Sequence, residues 1–291
     1  MCRLFGFRSV IASQVHRSLL AAENALGTQS EDHPDGWGVA YYVDGSPHVT
    51  KSPTLALGDQ LFHRLSGVVS SETVLAHVRK ATVGNKTVLN THPFQYGRWV
   101  FAHNGNIPRF DERRDALTAL INPRLRRFIL GETDSETIFH ILLSQLVARR
   151  PLDQAHSLEE LIDALAATTD AITQAVGPTE PTDPLLLTLM VTDGRVLAAS
   201  HGGKDLYWST YKNRCSDRDA CKSLSPECEA PTTTGRVNHC IISSEPLQGE
   251  NVWLPLTHGE VVGVDEQMHV VRRALGSRHL PVVQGAQARC D

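Results

Sequence analysis

The strongest constraint on the fold is the position of two helices between two series of strand-like segments. Thr133-Asp134-Ser135-Glu136 and Ser157-Leu158-Glu159-Glu160 both fit capping boxes, and the second opens a helix predicted over 158–176. Strand-like segments precede and follow this pair, and the dipeptides Asp44-Gly45 and Asp193-Gly194 are typical of hairpins. The pattern therefore predicts an α+β protein with mostly antiparallel sheets and helices outside them.

Length and composition set the class of protein. The 291 residues are 41% hydrophobic and 21% charged, with a net charge of -4. These values are typical of an ordinary globular protein. We expect one domain over residues 1–275, with residues 276–291 as a C-terminal tail. The charge gives no basic patch for nucleic acid, and no apolar run is long enough for a membrane span. Because the N-terminus does not resemble a signal peptide, a cytoplasmic protein with free thiols is expected.

Shorter helices are predicted outside the central pair. Residues 14–26 have helical spacing and end before a glycine at position 27, and residues 55–65 form a short amphipathic segment. Helices at these positions would lie outside the sheets, because their apolar residues fall on one face.

The N-terminus carries the residue with the most distinctive chemistry, Cys2. Removal of Met1 would make Cys2 the first residue, with a thiol and a free α-amine only a few ångströms apart. An α-amine with a pKa of about 7.7–8.0 is partly neutral near pH 7–8, so it can accept the thiol proton. One residue then supplies both nucleophile and base. Alone, a cysteine at this position is more simply explained by chance.

Four other motifs also have two interpretations each. Arg79 after a strand can clamp a carboxylate or form a surface ion pair. His92 before a proline can line a pocket or serve only as a loop residue. Asn104 and Gly105 can donate to an oxyanion or simply make a tight turn. Asp134 can bind an ammonium group or only stabilise the start of its helix.

The order of these motifs resembles that of the class II glutamine amidotransferases, which belong to the N-terminal-nucleophile (Ntn) hydrolases. The resemblance covers about residues 2–272 and is strongest to stand-alone members of the YafJ and EgtC types. The resemblance rests on the motifs Met1-Cys2, Asp35-Gly36-Trp37-Gly38, His77-Val78-Arg79-Lys80-Ala81-Thr82, Thr91-His92-Pro93-Phe94, His103-Asn104-Gly105, Gly131-Glu132-Thr133-Asp134-Ser135-Glu136, Val191-Thr192-Asp193-Gly194-Arg195 and Ile242-Ser243-Ser244-Glu245-Pro246-Leu247. The family implies a four-layer αββα sandwich, and its members need no cofactor for this reaction.

The resemblance also implies roles for single residues. Cys2 would attack the γ-carboxamide of glutamine or of a γ-glutamyl compound, and its α-amine would act as the base. Asn104 and Gly105 would stabilise the oxyanion. Arg79 would hold the substrate α-carboxylate, and Asp134 would hold the α-ammonium.

Two further residues are carried over from the family with less defined roles. Thr82 would lie beside the substrate carboxylate, and His92 would line the pocket. Many larger family members have a histidine after the threonine of the arginine motif, but here that residue is Val83, so no catalytic imidazole is assigned there.

The implied reaction leaves the substrate and the partner open. The chain would release ammonia, pass it to a separate synthase or other partner subunit, or act on a γ-glutamyl amide other than glutamine. A different class of function is a non-catalytic subunit of a synthase complex. The complete set of Cys2, Arg79, Asn104, Gly105 and Asp134 favours an enzyme.

A cysteine-rich insert is predicted over about residues 207–240. It contains Cys215, Cys221, Cys228 and Cys240, which could hold a structural zinc ion. Their spacing is not the usual one for zinc, so free thiols are favoured over a metal site and a metal site over disulfides. The insert is also expected to border the mouth of the active site.

Overall fold

A computed structural model describes residues 2–215 and 218–275 of the chain. The predicted tail, residues 276–291, lies outside the described residues. In chain order the strands are β1 (Arg3–Gln14), β2 (Trp37–Val43), β3 (Ser46–Ser52), β4 (Ser70–Val78), β5 (Phe94–Tyr96), β6 (Trp99–Asn106), β7 (Leu186–Thr192), β8 (Leu197–Ser200), β9 (Tyr207–Ser209), β10 (His239–Ser243), β11 (Leu254–Pro255), β12 (Glu260–Val264) and β13 (Val270–Ala274). The α-helices are α1 (Leu26–Gln29), α2 (Gln60–Val68), α3 (Phe110–Ala119), α4 (Pro123–Arg126), α5 (Asp134–Val147) and α6 (Leu158–Val176).

The strands form two sheets, and every pairing between the named strands is antiparallel. The larger sheet has the order β11-β9-β10-β1-β4-β2-β3, and the smaller has the order β13-β12-β8-β7-β6-β5. β1 lies in the middle of the larger sheet between β4 and β10, which places Cys2 at the end of a central strand. The predicted antiparallel character of the sheets is confirmed.

Three apolar clusters show how the layers pack. One lies between the two sheets and includes Leu4, Leu75 and Met190. A second lies between the smaller sheet and the helices α3, α5 and α6, and a third covers the outer face of the larger sheet beneath α1 and α2. The result is the expected four-layer αββα sandwich. Gly6 belongs to the inner face, where a β-carbon would lie 2.5 Å from the sulfur of Met190.

Two helix predictions need correction. The predicted helix over 14–26 is absent: β1 pairs with β4 as far as Gln14, a π-helical turn spans Arg17–Ala21, and α1 begins only at Leu26. Strand pairing takes up only Gln14 of the predicted span, and the helical turns of the remainder are confined to the π-helical turn and the start of α1. The predicted 55–65 helix begins at Gln60 instead, because Asp59 caps it by accepting a hydrogen bond from the backbone N–H of Leu61.

The two central helices begin where the capping boxes predict. Ser157 and Glu160 form the complete reciprocal box of α6. At α5, Thr133 accepts from the backbone N–H of Glu136, but the Glu136 carboxylate accepts instead from the backbone N–H groups of Leu130 and Gly131. The same side chain therefore closes the turn that leads into α5.

The segment predicted as a cysteine-rich insert, residues 207–240, has strands of the larger sheet at both ends. Residues 207–209 and 239–243 are strands of the larger sheet, and Cys240 faces the core between the sheets. Cys215, Cys221 and Cys228 line a separate cavity on the other side of β10, with His239 and Ile241. The described residues contain no cluster of three or more potential metal ligands, so these four cysteines do not converge on a metal site. None of the described residues between 207 and 240 belongs to the lining of the cavity at Cys2.

Within residues 2–215 and 218–275, no helix combines the length and the apolar composition that a membrane-spanning helix requires.

Gly38 in β2 predicts a measurable loss of stability when a methyl group is added. A β-carbon there would overlap the carbonyl oxygen of His92 and lie 2.7 Å from Cδ of Pro93. We expect Gly38→Ala to lower the free energy of unfolding by about 1–3 kcal/mol, measured by urea denaturation. The control is Gly58→Ala, because nothing lies within 4 Å of a β-carbon at Gly58. Equal stability of the two variants would contradict the steric argument.

Candidate active site

One small cavity joins residues that are far apart in the sequence. It lies where β1 begins, β4 ends and α5 begins, and its lining consists of Cys2, Arg79, Lys80, Thr82, Val83, His92, His103, Gly105, Thr133, Asp134 and Ser135. All the predicted site residues except Asn104 belong to this lining. Two larger cavities contain none of them, so the chemistry of the side chains, not the size of a cavity, identifies the candidate site.

Cys2 lies at the rim of this cavity, against the backbone of Lys80. Its Sγ is 3.3 Å from the backbone nitrogen of Lys80, which donates to it, and 3.5 Å from the carbonyl oxygen of the same residue. Burial raises the pKa of the Cys2 thiol, while the Lys80 hydrogen bond and the charge of Arg79 act in the opposite direction. The thiol therefore needs a base nearby to become a nucleophile near neutral pH.

Arg79 is buried, and its guanidinium is surrounded by backbone oxygens. It donates to the carbonyl oxygens of Val83 at 2.8 Å, Asn85 at 3.1 Å and Gly84 at 3.3 Å. Burial lowers the pKa of Arg79, and the nearby Cys2, Asp35 and Asp134 oppose that change. The 83–85 turn therefore fixes a cation at the edge of the cavity.

Asp134 supplies the negative charge of the cavity. It is the first residue of α5 and is 3% exposed. One carboxylate oxygen accepts from the backbone N–H of Ile107 at 2.9 Å, and the other accepts from the backbone N–H of Ser135 at 2.8 Å. Because these backbone groups hold the carboxylate in one orientation, the cavity presents a fixed anion as well as a fixed cation.

Asn104 and Gly105 occupy the end of β6 with opposite orientations. Asn104 continues the series of Val100 and Ala102, which face the space between the sheets, and it is buried beside the cavity. Its Oδ1 has no hydrogen-bond partner among the described residues. Gly105 lines the cavity itself, and a β-carbon there would overlap the carbonyl oxygen of Leu186. Only glycine fits this position.

His103 and Ser135 belong to the site although the sequence argument did not select them. His103 Nδ1 is 2.9 Å from Oγ of Ser135, and its Nε2 is 2.9 Å from the carbonyl oxygen of Leu186. Burial lowers the pKa of His103, with Asp134 opposing the change. The motif around Asn104 contains His103, so its presence was visible in the sequence, but its link to α5 was not.

The segment Asp35-Gly36-Trp37-Gly38 supports the loop that follows Arg79. Asp35 accepts from the backbone N–H of Ala81 at 2.8 Å and forms an ion pair with Lys86. Burial alone would raise the pKa of Asp35, but the hydrogen bonds from Lys86 and Ala81 lower it overall. The backbone of Arg79 also pairs with Asp35 and Gly36, which extends the β2–β4 pairing into the site.

The buried histidines behind the cavity predict that acid destabilises the fold. Burial lowers the pKa of His77 to about 3, whereas an unfolded histidine titrates near 6.5. Between these values the unfolded chain binds a proton that the folded protein does not, so the free energy of unfolding falls as the pH decreases from about 6.5 toward 3.

The size of this effect follows from the same linkage. We expect the wild type to lose about 2 kcal/mol more than His77→Phe between pH 7 and pH 5, measured by urea denaturation at both pH values. His16→Phe, at an exposed position, is the control and should retain the wild-type difference. A wild-type loss equal to that of His77→Phe would contradict the prediction.

Comparisons with known proteins identify the family of the chain. The family model described as "Glutamine amidotransferases class-II" matches residues 1–278. The putative glutamine amidotransferase YafJ of Escherichia coli is 26% identical over 89% of this chain and 96% of its own length. A γ-glutamyl-hercynylcysteine sulfoxide hydrolase of Mycobacterium tuberculosis is 33% identical over 38% of this chain and 51% of its own length.

Other relatives are matched over different shares of their length. An uncharacterised protein of Methanocaldococcus jannaschii is 33% identical over 57% of this chain, and the match spans 44% of that relative. A solved glutamine aminotransferase class-II domain protein from Silicibacter pomeroyi covers 94% of this chain and 98% of its own, with a TM-score of 0.62 and 21% identity. At that identity the likeness shows the shared fold.

Proposed function

Since this chain belongs to the class II glutamine amidotransferases, we propose that it is an amidohydrolase that cleaves glutamine or another γ-glutamyl amide with Cys2 as the nucleophile. The relative named as a hydrolase and the amidotransferase relatives support the reaction class. The products would be glutamate and ammonia or an amine. A cytoplasmic location is part of this proposal, because a reducing compartment keeps the thiol free.

The observation that carries the proposal is a thiol beside two opposite fixed charges. Cys2, Arg79 and Asp134 come from three different elements and line the same cavity. The head of a γ-glutamyl compound is a zwitterion, with a carboxylate and an ammonium group on one carbon. In the proposal Arg79 binds the carboxylate, Asp134 binds the ammonium, and the γ-carbonyl is thereby directed toward the thiol.

The reaction requires that Met1 be removed, so that Cys2 carries a free α-amine. This amine takes the thiol proton as sulfur attacks the γ-carbonyl carbon, and the carbonyl becomes a tetrahedral oxyanion. The same proton then passes to the departing nitrogen, the C–N bond breaks, and a γ-glutamyl thioester remains. Water, deprotonated by the amine, attacks the thioester and releases glutamate and the free thiol.

The remaining site residues have supporting roles in this scheme. The side-chain NH₂ of Asn104 and the backbone N–H of Gly105 stabilise the oxyanion. Thr82 lies beside the carboxylate-binding arginine, and His92 forms part of the cavity wall. Lys80 donates its backbone N–H to the sulfur and so stabilises the thiolate.

The second candidate substrate is a γ-glutamyl amide whose leaving group is larger than ammonia. The observation in its favour is the 33% identity to a γ-glutamyl-hercynylcysteine sulfoxide hydrolase. Both substrate types share the zwitterionic head, so the same residues would bind either one. A separate subunit that receives ammonia belongs to the glutamine alternative.

The test combines intact mass with labelling by 6-diazo-5-oxo-L-norleucine, a reactive analogue of glutamine. We expect a mass without Met1 and one adduct, located on Cys2 by peptide mapping. Excess glutamine should slow the labelling, because both compounds need the same charged contacts. Hydrolysis rates for glutamine and for γ-glutamyl-cysteine would then rank the two candidates. A retained Met1, or a processed protein without an adduct, would overturn the proposal.

A further inference from the structure

The side chain of Asn90 joins two distant segments at the edge of the active-site cavity. It is 2% exposed. Its Nδ2 donates to the carbonyl oxygen of Asn85 at 3.0 Å, and its Oδ1 accepts from the backbone N–H of Glu132 at 2.8 Å. One buried amide therefore connects the turn over 83–85 with the segment over 130–133, which leads into α5.

The Asn85 end of this bridge is shared with Arg79. The carbonyl oxygen of Asn85 accepts from Nη1 of Arg79 at 3.1 Å as well as from Asn90. Both bonds can form at once, because a carbonyl oxygen has two lone pairs. The position of the Arg79 guanidinium therefore depends on a carbonyl group that Asn90 holds.

The Glu132 end of the bridge leads directly to Asp134. Glu132 precedes Thr133, the N-cap residue of α5, and Asp134 is the first residue of that helix. Because Asn90 accepts from the backbone N–H of Glu132, it fixes the chain two residues before the Asp134 carboxylate. The same amide is thus bonded to the backbone beside both charges of the cavity.

Two glycines allow this close approach to Asn90. A β-carbon at Gly131 would lie 2.5 Å from Oδ1 of Asn90. Gly84 has a φ of +75°, and a β-carbon there would lie 3.0 Å from Nδ2 of Asn90. The same β-carbon would lie 3.2 Å from Cγ2 of Thr133, so the turn over 83–85 packs directly against the start of α5.

The side chain of Glu132 supports the bridge from the solvent side. Its Oε2 accepts from Asn85, from the backbone N–H at 3.3 Å and from Nδ2 at 3.0 Å, and also from Nδ2 of Asn90 at 3.3 Å. The backbone N–H of Asn85 and the amide of Asn90 lower the pKa of Glu132. Because Glu132 is exposed, its substitution can weaken the bridge without leaving a buried group unpartnered.

We propose that Asn90 is a positioning residue that sets the separation of Arg79 and Asp134, and thereby the affinity of the site for the zwitterionic head of the substrate. The proposal rests on the amidohydrolase function proposed above. Two charges on one carbon need their two partners at one fixed separation. Asn90 does not line the Cys2 cavity, so it acts only through the two segments that it joins.

The first test is steady-state hydrolysis of glutamine and of γ-glutamyl-cysteine by the wild type and Asn90→Ala. Without the amide the two segments are no longer held together, so we expect KM to rise about 10- to 30-fold while kcat changes less than about threefold. The loss should appear in KM, because the contacts to the substrate head are the same before and after the thiol attacks.

A double-mutant cycle with Arg79→Lys tests whether Asn90 acts through the arginine. Lysine keeps the charge but lacks the planar group that donates to several carbonyl oxygens of the turn. The separation of the two partners matters only while both bind the substrate. In the Arg79→Lys background we therefore expect Asn90→Ala to raise KM less than about threefold. An equal rise in both backgrounds would overturn the proposal.

Two variants of Glu132 give an independent answer, which decides if Asn90→Ala does not fold. Glu132→Ala removes the oxygen that accepts from Asn85 and Asn90, and it should raise KM about 3- to 10-fold. Glu132→Gln keeps an oxygen in that place, and its KM should stay within about twofold of the wild type. An unchanged KM in Glu132→Ala, or equal KM values in the two variants, would contradict the bridge.

The matched control is Asn238→Ala. Asn238 also ties a loop to a sheet, because its Nδ2 donates to the carbonyl oxygen of Ser223 at 2.9 Å and to Oγ of Ser225 at 3.0 Å. It lies outside the lining of the Cys2 cavity, so its variant should keep the wild-type KM. Circular dichroism and thermal unfolding of all variants would show which of them fold.

A folded Asn90→Ala enzyme with a wild-type KM would overturn the positioning role, and so would a loss confined to kcat. The failure of the proposed function gives a different result. In that case the wild type itself would hydrolyse neither substrate and would take no adduct from 6-diazo-5-oxo-L-norleucine on Cys2.

Discussion

Cys2→Ala is expected to reduce hydrolysis of glutamine or a γ-glutamyl amide by at least about 10⁴-fold, to the background rate. The substitution removes the sulfur atom that is proposed to attack the substrate. Without it the proposed γ-glutamyl thioester cannot form. Alanine is also a small second residue, so the removal of Met1 should not change. Measurement of kcat/KM with an ammonia-coupled or amine-coupled assay provides the test.

The same variant separates catalysis from binding. Arg79 and Asp134 remain in place in Cys2→Ala, so glutamine should still bind in isothermal titration calorimetry. Cys221→Ala is the matched control, because Cys221 lines a cavity on the outer face of the larger sheet. It should keep full activity. More than about a tenth of the wild-type activity in Cys2→Ala would exclude Cys2 as the nucleophile.

Asn104→Ala is expected to lower kcat by about 10²- to 10³-fold, with KM changed only a few-fold. The side-chain NH₂ is proposed to bind the oxyanion, which exists only after attack, so its loss should affect the transition state more than the bound substrate. The unpartnered Oδ1 of Asn104 shows that the fold itself makes little use of the carbonyl end of this side chain.

Asn106→Ala is the matched control for this experiment. Asn106 is two residues further along β6 and donates to Asp183, outside the cavity. It should retain kcat to within about twofold. An Asn104→Ala enzyme with normal kcat and a raised KM would assign Asn104 to substrate binding rather than to the oxyanion.

The two substitutions also differ in their expected labelling. Asn104→Ala keeps the thiol and the charged contacts, so 6-diazo-5-oxo-L-norleucine should still reach Cys2, at a reduced rate. Cys2→Ala should take no adduct. The pair therefore distinguishes loss of the nucleophile from loss of transition-state stabilisation.

The sequence alone determined the features that depend on neighbouring residues. The capping residues Thr133 and Ser157 predicted the starts of α5 and α6, because a cap is a contact within one turn of helix. Turn dipeptides predicted the hairpins, and the hairpins in turn predicted the mostly antiparallel sheets. The resemblance to the family added the four-layer order of those sheets and helices.

The tertiary structure decided everything that depends on contacts between distant segments. The predicted helix at 14–26 was wrong: pairing with β4 extends β1 to Gln14, and the rest of the span contains only the π-helical turn Arg17–Ala21 and the start of α1. The helix α3 was missed because it is largely polar and buries few side chains, Phe110 and Leu117 among them. The four cysteines appeared to be one group in the sequence, but β10 places Cys240 on the opposite face from the others.

The candidate site shows both contributions. The sequence named Cys2, Arg79 and Asp134 as separate chemical groups, and the chain order linked them to one family. Only the folded structure places them in one cavity, surrounds Arg79 with the carbonyl oxygens of 83–85 and brings the rings of His77 and His92 into contact. A sequence specifies which groups are available, but their distances and burial are set by strand pairing and layer packing across the whole chain.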